Sequence, residues 1–161
     1  MSTWILALAF LGLSAVASAS KFHVTVNVDK HTDFAALHTY ALTPGWSSFN
    51  QHVDAQIATA IERELISLGL TRQPRAAADV VVTYGTVRRT NVDVNRKRKT
   101  KPGVYAEYPV ATLVVLLREP VGRRELFRAR AELRVDIDTA HLGEQIDAIV
   151  ARMFARYPAR T

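Results

Sequence analysis

Cysteine is absent from all 161 residues. That excludes thiol nucleophiles, cysteine-based zinc sites and disulfide staples, and leaves no acceptor for the lipid of a bacterial lipoprotein. The seven glycines are scattered, so no glycine-rich phosphate loop can form. Beyond residue 19 only four serines remain, Ser20, Ser47, Ser48 and Ser67, and none sits in the G-x-S-x-G turn of a serine hydrolase. His23, His31, His38, His52 and His141 lack the H-x-x-x-H type of metal spacing. His31 and Asp33 are near enough to share an ion, but surface and capping roles account for them more simply. Asp136 and Asp138 would share a strand face, where strand-end polarity and helix capping explain them better than a carboxylate pair. No catalytic residue, metal site or cofactor is therefore assigned, and the chain is expected not to be an enzyme.

Charge is missing from the first nineteen residues. MSTWILALAFLGLSAVASA has no acidic or basic side chain and ends in Ala17-Ser18-Ala19, just ahead of Ser20-Lys21. An apolar core followed by small residues at the −3 and −1 positions is the pattern of an export signal. Residues 1–19 are expected to be a signal peptide, and residues 20–161 a single domain in the periplasm or cell envelope. The alternative is retention by an uncleaved anchor, for which the run from Thr3 to Ala19 is shorter than the roughly 20 residues that span a bilayer. A domain of this size buries about two-thirds of its surface on folding and does not depend on disulfides.

Twenty-one basic residues against fifteen acidic ones give a formal charge of +6. The excess is local. Arg88, Arg89, Arg96, Lys97, Arg98, Lys99 and Lys101 are opposed only by Asp93, and the rest of the chain is balanced. The high isoelectric point describes one segment, not a basic domain.

Periodicity supplies the elements. Residues 21–28 alternate apolar Phe22, Val24, Val26 and Val28 with polar neighbours, the habit of a half-buried strand. A short extended piece at 39–42 stops at Pro44-Gly45. Ser48 and Gln51 have capping-box spacing, and Val53, Ile57, Ile61, Leu65 and Leu68 mark an amphipathic helix over 49–68 that ends at Gly69. Residues 78–87 and 110–117 read as strands, the second apolar throughout. The link between them, residues 88–108, is long for a hairpin connection. From Phe127 to Ile137 apolar and charged residues alternate strictly, which predicts one face on a core and one wet. Asp138 or Thr139 should cap a last helix striped by Leu142, Ile146, Ile149, Val150, Met153, Phe154 and Tyr157. The expected fold is α+β, a two-layer sandwich in the order β-α-β-β-β-α. Two helices cover one face of a four-stranded, mostly antiparallel sheet and leave the other face open.

Several motifs recur in a characteristic order: Asp33-Phe34 followed by Thr39-Tyr40, Leu68-Gly69-Leu70 closing the first helix, and Ala78-Asp79 opening a valine strand that runs to Thr83-Tyr84. Tyr157-Pro158 closes the set. With these the chain resembles the bacterial envelope family known as domain of unknown function 4136, over roughly residues 22–158. The resemblance implies an envelope location and a two-layer fold, and implies no activity. The chain departs from the family in lacking the lipid-accepting cysteine, and in Ala111 and Phe127 where the family places Gly and Trp.

The best functional candidate is the basic link. Arg88, Arg89, Arg96, Lys97, Arg98, Lys99 and Lys101, with Tyr105 and Tyr108 beside them, place cations next to stacking surface. The expected function is binding of an envelope protein or an anionic lipid or glycolipid through this link and the open sheet face. The alternatives are a structural interaction module of a larger envelope complex and, third, an enzyme of unrecognised kind. Nucleic acid would suit the charge, but export separates the chain from it and none is expected. Oligomeric state is not fixed by the sequence. Either Val110, Thr112, Val114 and Leu116 or their odd-numbered neighbours must face the open side, where they would form an apolar patch of the kind that marks a partner or lipid site.

Overall fold

The computed structural model describes residues 22–46, 50–97, 105–134 and 141–158, with backbone alone at 93–97, 105–106 and 134. Its strands are β1 (Phe22–Val28), β2 (Thr39–Trp46), β3 (Thr71–Arg72), β4 (Val80–Lys97), β5 (Tyr105–Arg118) and β6 (Glu125–Arg134). Helix α1 (Gln51–Ser67) joins β2 to β3, and α2 (Leu142–Phe154) follows β6. The six strands form one sheet in the order β1-β6-β5-β4-β2-β3. Pairs β1–β6, β6–β5 and β5–β4 are antiparallel, whereas β4–β2 and β2–β3 are parallel.

The α+β class holds, but the four-stranded, mostly antiparallel sheet is corrected to six strands with two parallel pairings. The additions come from the segment the sequence showed least clearly. β2 runs through Pro44-Gly45 to Trp46, with a register shift between Pro44 and Trp46. β3 meets only Thr39 and Tyr40 of β2. From Ala41 onward β2 is therefore an edge strand, and an edge tolerates a residue without an N–H. Parallel pairing of β2 with β4 needs a crossover, which α1 supplies.

A four-point clamp fixes that parallel register. One carboxylate oxygen of Asp79, just before β4, accepts the backbone N–H groups of His38 and Thr39 and the Thr39 hydroxyl, each at 2.9 Å. The Asp79 N–H in turn donates to the Thr39 hydroxyl at 2.9 Å. Tyr40 then aligns with Val80 and Leu42 with Val82. The His38 N–H above all, then the Thr39 hydroxyl and N–H, hold the Asp79 carboxyl below the ordinary carboxylate range.

Both helices pack on one sheet face. Tyr40, Val80, Val82, Leu113, Val115, Leu117, Phe127, Ala129 and Ala131 form the sheet side of the core, against Ile57, Ile61 and Leu65 of α1 and Ile149, Val150 and Met153 of α2. Asn50 caps α1, its side chain accepting from the N–H groups of His52 and Val53. Ser48, expected in that role, lies outside the described residues. At the other end Gly69 takes φ +79°, with Leu70 N–H bonded to Leu65 O and Gly69 N–H to Ile66 O, a Schellman ending. That turn drives Leu70 into the core at 2% exposure. Asp138 and Thr139, expected to cap α2, also lie outside the described residues.

The link at 88–108 is corrected as well. Ten of its residues, through Lys97, continue β4, and Tyr105–Tyr108 belong to β5. Asn91 faces Tyr108 and Val92 faces Glu107, with a register shift between Asp93 and Lys97. Among the described residues, β6 reaches β5 as far as Val110 and β2 reaches β4 as far as Gly85. Among these residues the hairpin therefore continues past its neighbours as a two-stranded arm. The β-forming residues Val87, Thr90 and Val92 sustain it despite the interleaved charge.

The clamp yields a pH dependence. Its folded-state pKa is depressed, so Asp79 stabilises the fold fully above its unfolded value of about 3.9, and the contribution disappears as pH falls through the lower folded value. Asp79→Ala should lower stability in denaturant titrations at neutral pH. The gap to the wild type should close as pH drops below about 3.9; a gap independent of pH would show that the carboxylate is not the stabilising group.

Candidate functional site

The face of the sheet turned away from the helices is built by alternation. In β6 the residues between the core positions are Arg128, Arg130 and Glu132. Register places Arg128 beside Leu116, Arg130 beside Val114 and Glu132 beside Thr112 of β5. On the far side of β5 stand Thr83, Gly85, Val87 and Arg89 of β4. The question left by the apolar central strand is thereby answered: Val110, Thr112, Val114 and Leu116 face away from the helices.

β2 completes the face with Trp46, which pairs with Gly85. The indole lies flat against the Gly85 backbone, where a Cβ would overlap the ring. Glycine is required here by close approach, since only a residue without a side chain lets the ring reach the sheet. Trp46 and Val87 each remain 48% exposed. Together with Thr112, Val114 and Leu116 they floor a cleft bounded by Arg89, Arg118, Arg128 and Arg130. Thr112 and Leu116 are each only 6% exposed although neither α1 nor α2 covers them. The aliphatic stems of the arginines and the Trp46 ring account for this, leaving the charged heads in water.

Three of the four guanidinium groups meet two carboxylates. Arg89 and Arg130 both bind Glu132 Oε1, Arg89 at 3.0 Å. Arg128 binds Glu125 at 2.6 Å. The Arg118 guanidinium has no ion pair among the described residues. The paired side chains are 29–49% exposed, so each pair contributes no more than about 1 kcal/mol to the fold. Their larger effect is positional: they hold cations around an apolar floor and leave a net positive rim.

Among the nine candidates from the sequence, Arg89 lines the cleft. Arg88 is exposed one residue away, on the row of Thr86 and so toward the helix side. Tyr108 is half-buried and falls in the same alternate row as Val110 and Thr112. Arg96, Lys97 and Tyr105 belong to the arm by their backbone, and Arg98, Lys99 and Lys101 lie outside the described residues. Trp46, Arg118, Arg128 and Arg130 were missed. The alternating arginines of β6 were visible in the sequence, and two of them pair within their own strand, Arg128 with Glu125 and Arg130 with Glu132. Trp46 was hidden behind Pro44-Gly45, taken as the end of its strand.

Of the remaining sequence candidates, Asp33 and His31 serve the fold, and Asp136 and Asp138 lie outside the described residues. Asp33 caps a short 3-10 turn by accepting the Ala35 N–H at 3.0 Å. The His31 N–H donates to Asp29. Among the described residues no three histidines or carboxylates come together as a metal site.

The family model described as Domain of unknown function (DUF4136) matches residues 24–159, and the chain belongs to that family. No curated protein matches it. Among solved structures it is similar to a PDZ domain protein from Parabacteroides distasonis ATCC 8503, with 18% identity and a TM-score of 0.57. That match covers 86% of this chain but only 35% of the other, so the chain spans about a third of that protein. It is also similar to PelC from Paraburkholderia phytofirmans, solved as a dodecamer, with 11% identity, a TM-score of 0.57, and coverage of 87% of this chain and 99% of PelC. At these identities the likeness is one of fold.

The contact of Trp46 with Gly85 is testable by fluorescence in a Trp4→Phe background, where Trp46 is the only tryptophan. Gly85→Ala should expel the indole, raise its quenching by acrylamide and cost no more than about 1–3 kcal/mol. Unchanged quenching would place the ring elsewhere.

Proposed function

We propose that this DUF4136 protein is a non-enzymatic binding protein of the cell envelope. It takes an anionic lipid or glycolipid on the open face of its sheet and engages the surrounding anionic surface with its basic hairpin arm. The observation that carries this reading is the pairing of an apolar floor with a cationic rim. Trp46, Val87 and Val114 offer a place for acyl chain or sugar ring, and Arg118, which has no ion pair among the described residues, offers a guanidinium to a phosphate or carboxylate. Residues 1–19, read as an export signal, would carry the domain to the compartment where such ligands lie.

A second reading, a structural module of a larger envelope complex, draws support from PelC. That similar chain, matched over 99% of its length, is a dodecamer. Under this reading the arm and open face would meet protein instead of lipid.

Vesicle binding separates the two. Wild-type protein should bind vesicles containing phosphatidylglycerol at low ionic strength and ignore vesicles of phosphatidylcholine alone. Replacing Arg96, Lys97, Arg98 and Lys99 with Ser should weaken binding by up to about 1 kcal/mol per charge, a difference that shrinks as salt rises. Trp46→Ala should weaken it at high and low salt alike, because the loss is apolar. A wild-type protein indifferent to both phosphatidylglycerol and lipopolysaccharide at low salt would overturn the lipid reading and leave the structural module.

A further inference from the structure

A sheet edge presents unpaired N–H and C=O groups, and folded proteins blunt such edges with charge, proline, bulges or shortness. Most of the edges here are blunted. β3 is two residues long and carries Arg72. The exposed stretch of β2 holds Pro44 and a register shift. Along the arm, β4 carries Arg88, Arg89 and a register shift, and β5 carries Glu107 and Pro109.

β1 has none of these devices. Its sequence, FHVTVNV, contains no Lys, Arg, Asp, Glu, Pro or Gly over seven residues. It pairs with β6 on one side and, among the described residues, with nothing on the other. The Asp29 N–H bonds Leu126 O beside the Val28–Phe127 pair, which makes that pair a non-hydrogen-bonded one. By alternation the N–H and C=O groups of Phe22, Val24, Val26 and Val28 point away from β6, toward the free edge. The side chains of the same four residues lie on the helix side and are only partly buried. Backbone and apolar surface are thus both left incomplete along one line.

We propose that this edge is the contact between two copies of the chain, joined β1 to β1 in antiparallel fashion about Thr25. The strand is complementary to itself in that arrangement. Phe22 meets Val28 of the second copy and Val24 meets Val26, so the outward N–H and C=O groups fall in hydrogen-bonded pairs along the whole strand. Both copies keep their helices on the same side, so the two half-buried apolar rows close on each other. On the opposite face His23 meets Asn27 and Thr25 meets its own counterpart, with no carboxylate or ammonium to repel. This inference is independent of any ligand on the open face.

Thr25 is exposed and sits on the two-fold axis, which makes it the test position. The full-length protein should sediment at twice the mass of one chain. Thr25→Lys sets two ammonium groups against each other beside Arg130, its neighbour in β6. The variant should sediment as a single chain while keeping a cooperative thermal transition. Mixing Thr25→Lys with an equal amount of Thr25→Glu should restore the double mass, because opposite charges then face across the axis. A wild-type protein that stays a single chain would overturn the proposal, as would a dimer that survives Thr25→Lys. Failure of the mixture to reassemble would also overturn it, pointing to a head-to-tail contact or another surface.

Discussion

The register between β2 and β4 is the constraint on which both faces of this sheet depend. β2 is short, interrupted by Pro44-Gly45 and flanked on its outer side by only two paired residues. Its own ladder is a weak guide to alignment, and a slip of one residue would exchange its faces. Tyr40 would leave the core and Trp46 would turn to the helix side. Asp79 prevents this by binding two successive backbone N–H groups and a hydroxyl at the start of β2, so that only one alignment satisfies all of them. Because the carboxylate is largely solvated, its worth is specificity of register more than bulk stability.

From that alignment the division of labour follows. The helix-side face is filled by aliphatic and aromatic side chains, with Phe34 edge-on to Tyr157 at 5.2 Å and Phe127 stacked on Phe154 at 5.7 Å. The opposite face has no second layer among the described residues. It is covered instead by arginine stems and one indole, side chains that can part for a ligand at the cost of weak, exposed ion pairs. A face covered this way shelters Thr112 and Leu116 while Trp46 and Val87 stay half-exposed.

Much of the fold was legible because its signals are local. The Gly69 ending of α1, the alternation of β6 from Phe127 to Leu133 and the stripe of α2 all appear as the sequence implied, and residues 135–137 lie outside the described residues. The motifs behind the family resemblance prove to touch one another: Thr39 meets Asp79, Phe34 meets Tyr157, and Leu70 fills the core behind Gly69. They are structural contacts, which is why a resemblance built on them carries a fold and no activity. What could not be read was non-local. Nothing near Thr39–Trp46 announces a parallel partner forty residues away, since pairing there is decided by a carboxylate and a crossover helix. The arm was taken for a loop because its charges masked its β-forming residues. The cleft went unseen because its parts lie on four strands, and only pairing brings Trp46, Val87, Val114 and Arg130 together.

In the proposed function, the face lined by Val114 and Leu116 receives an anionic amphiphile while the helix-side face stays sealed. Neighbouring residues of β5 report on the two faces separately, since Val115 and Leu117 are fully buried beneath the helices. Methyl NMR of the labelled protein, titrated with phosphatidylglycerol in bicelles, reads both at once. The methyl signals of Val114 and Leu116 should shift saturably while those of Val115 and Leu117 stay in place. Stationary Val114 and Leu116 signals, or equal shifts at all four residues, would contradict it.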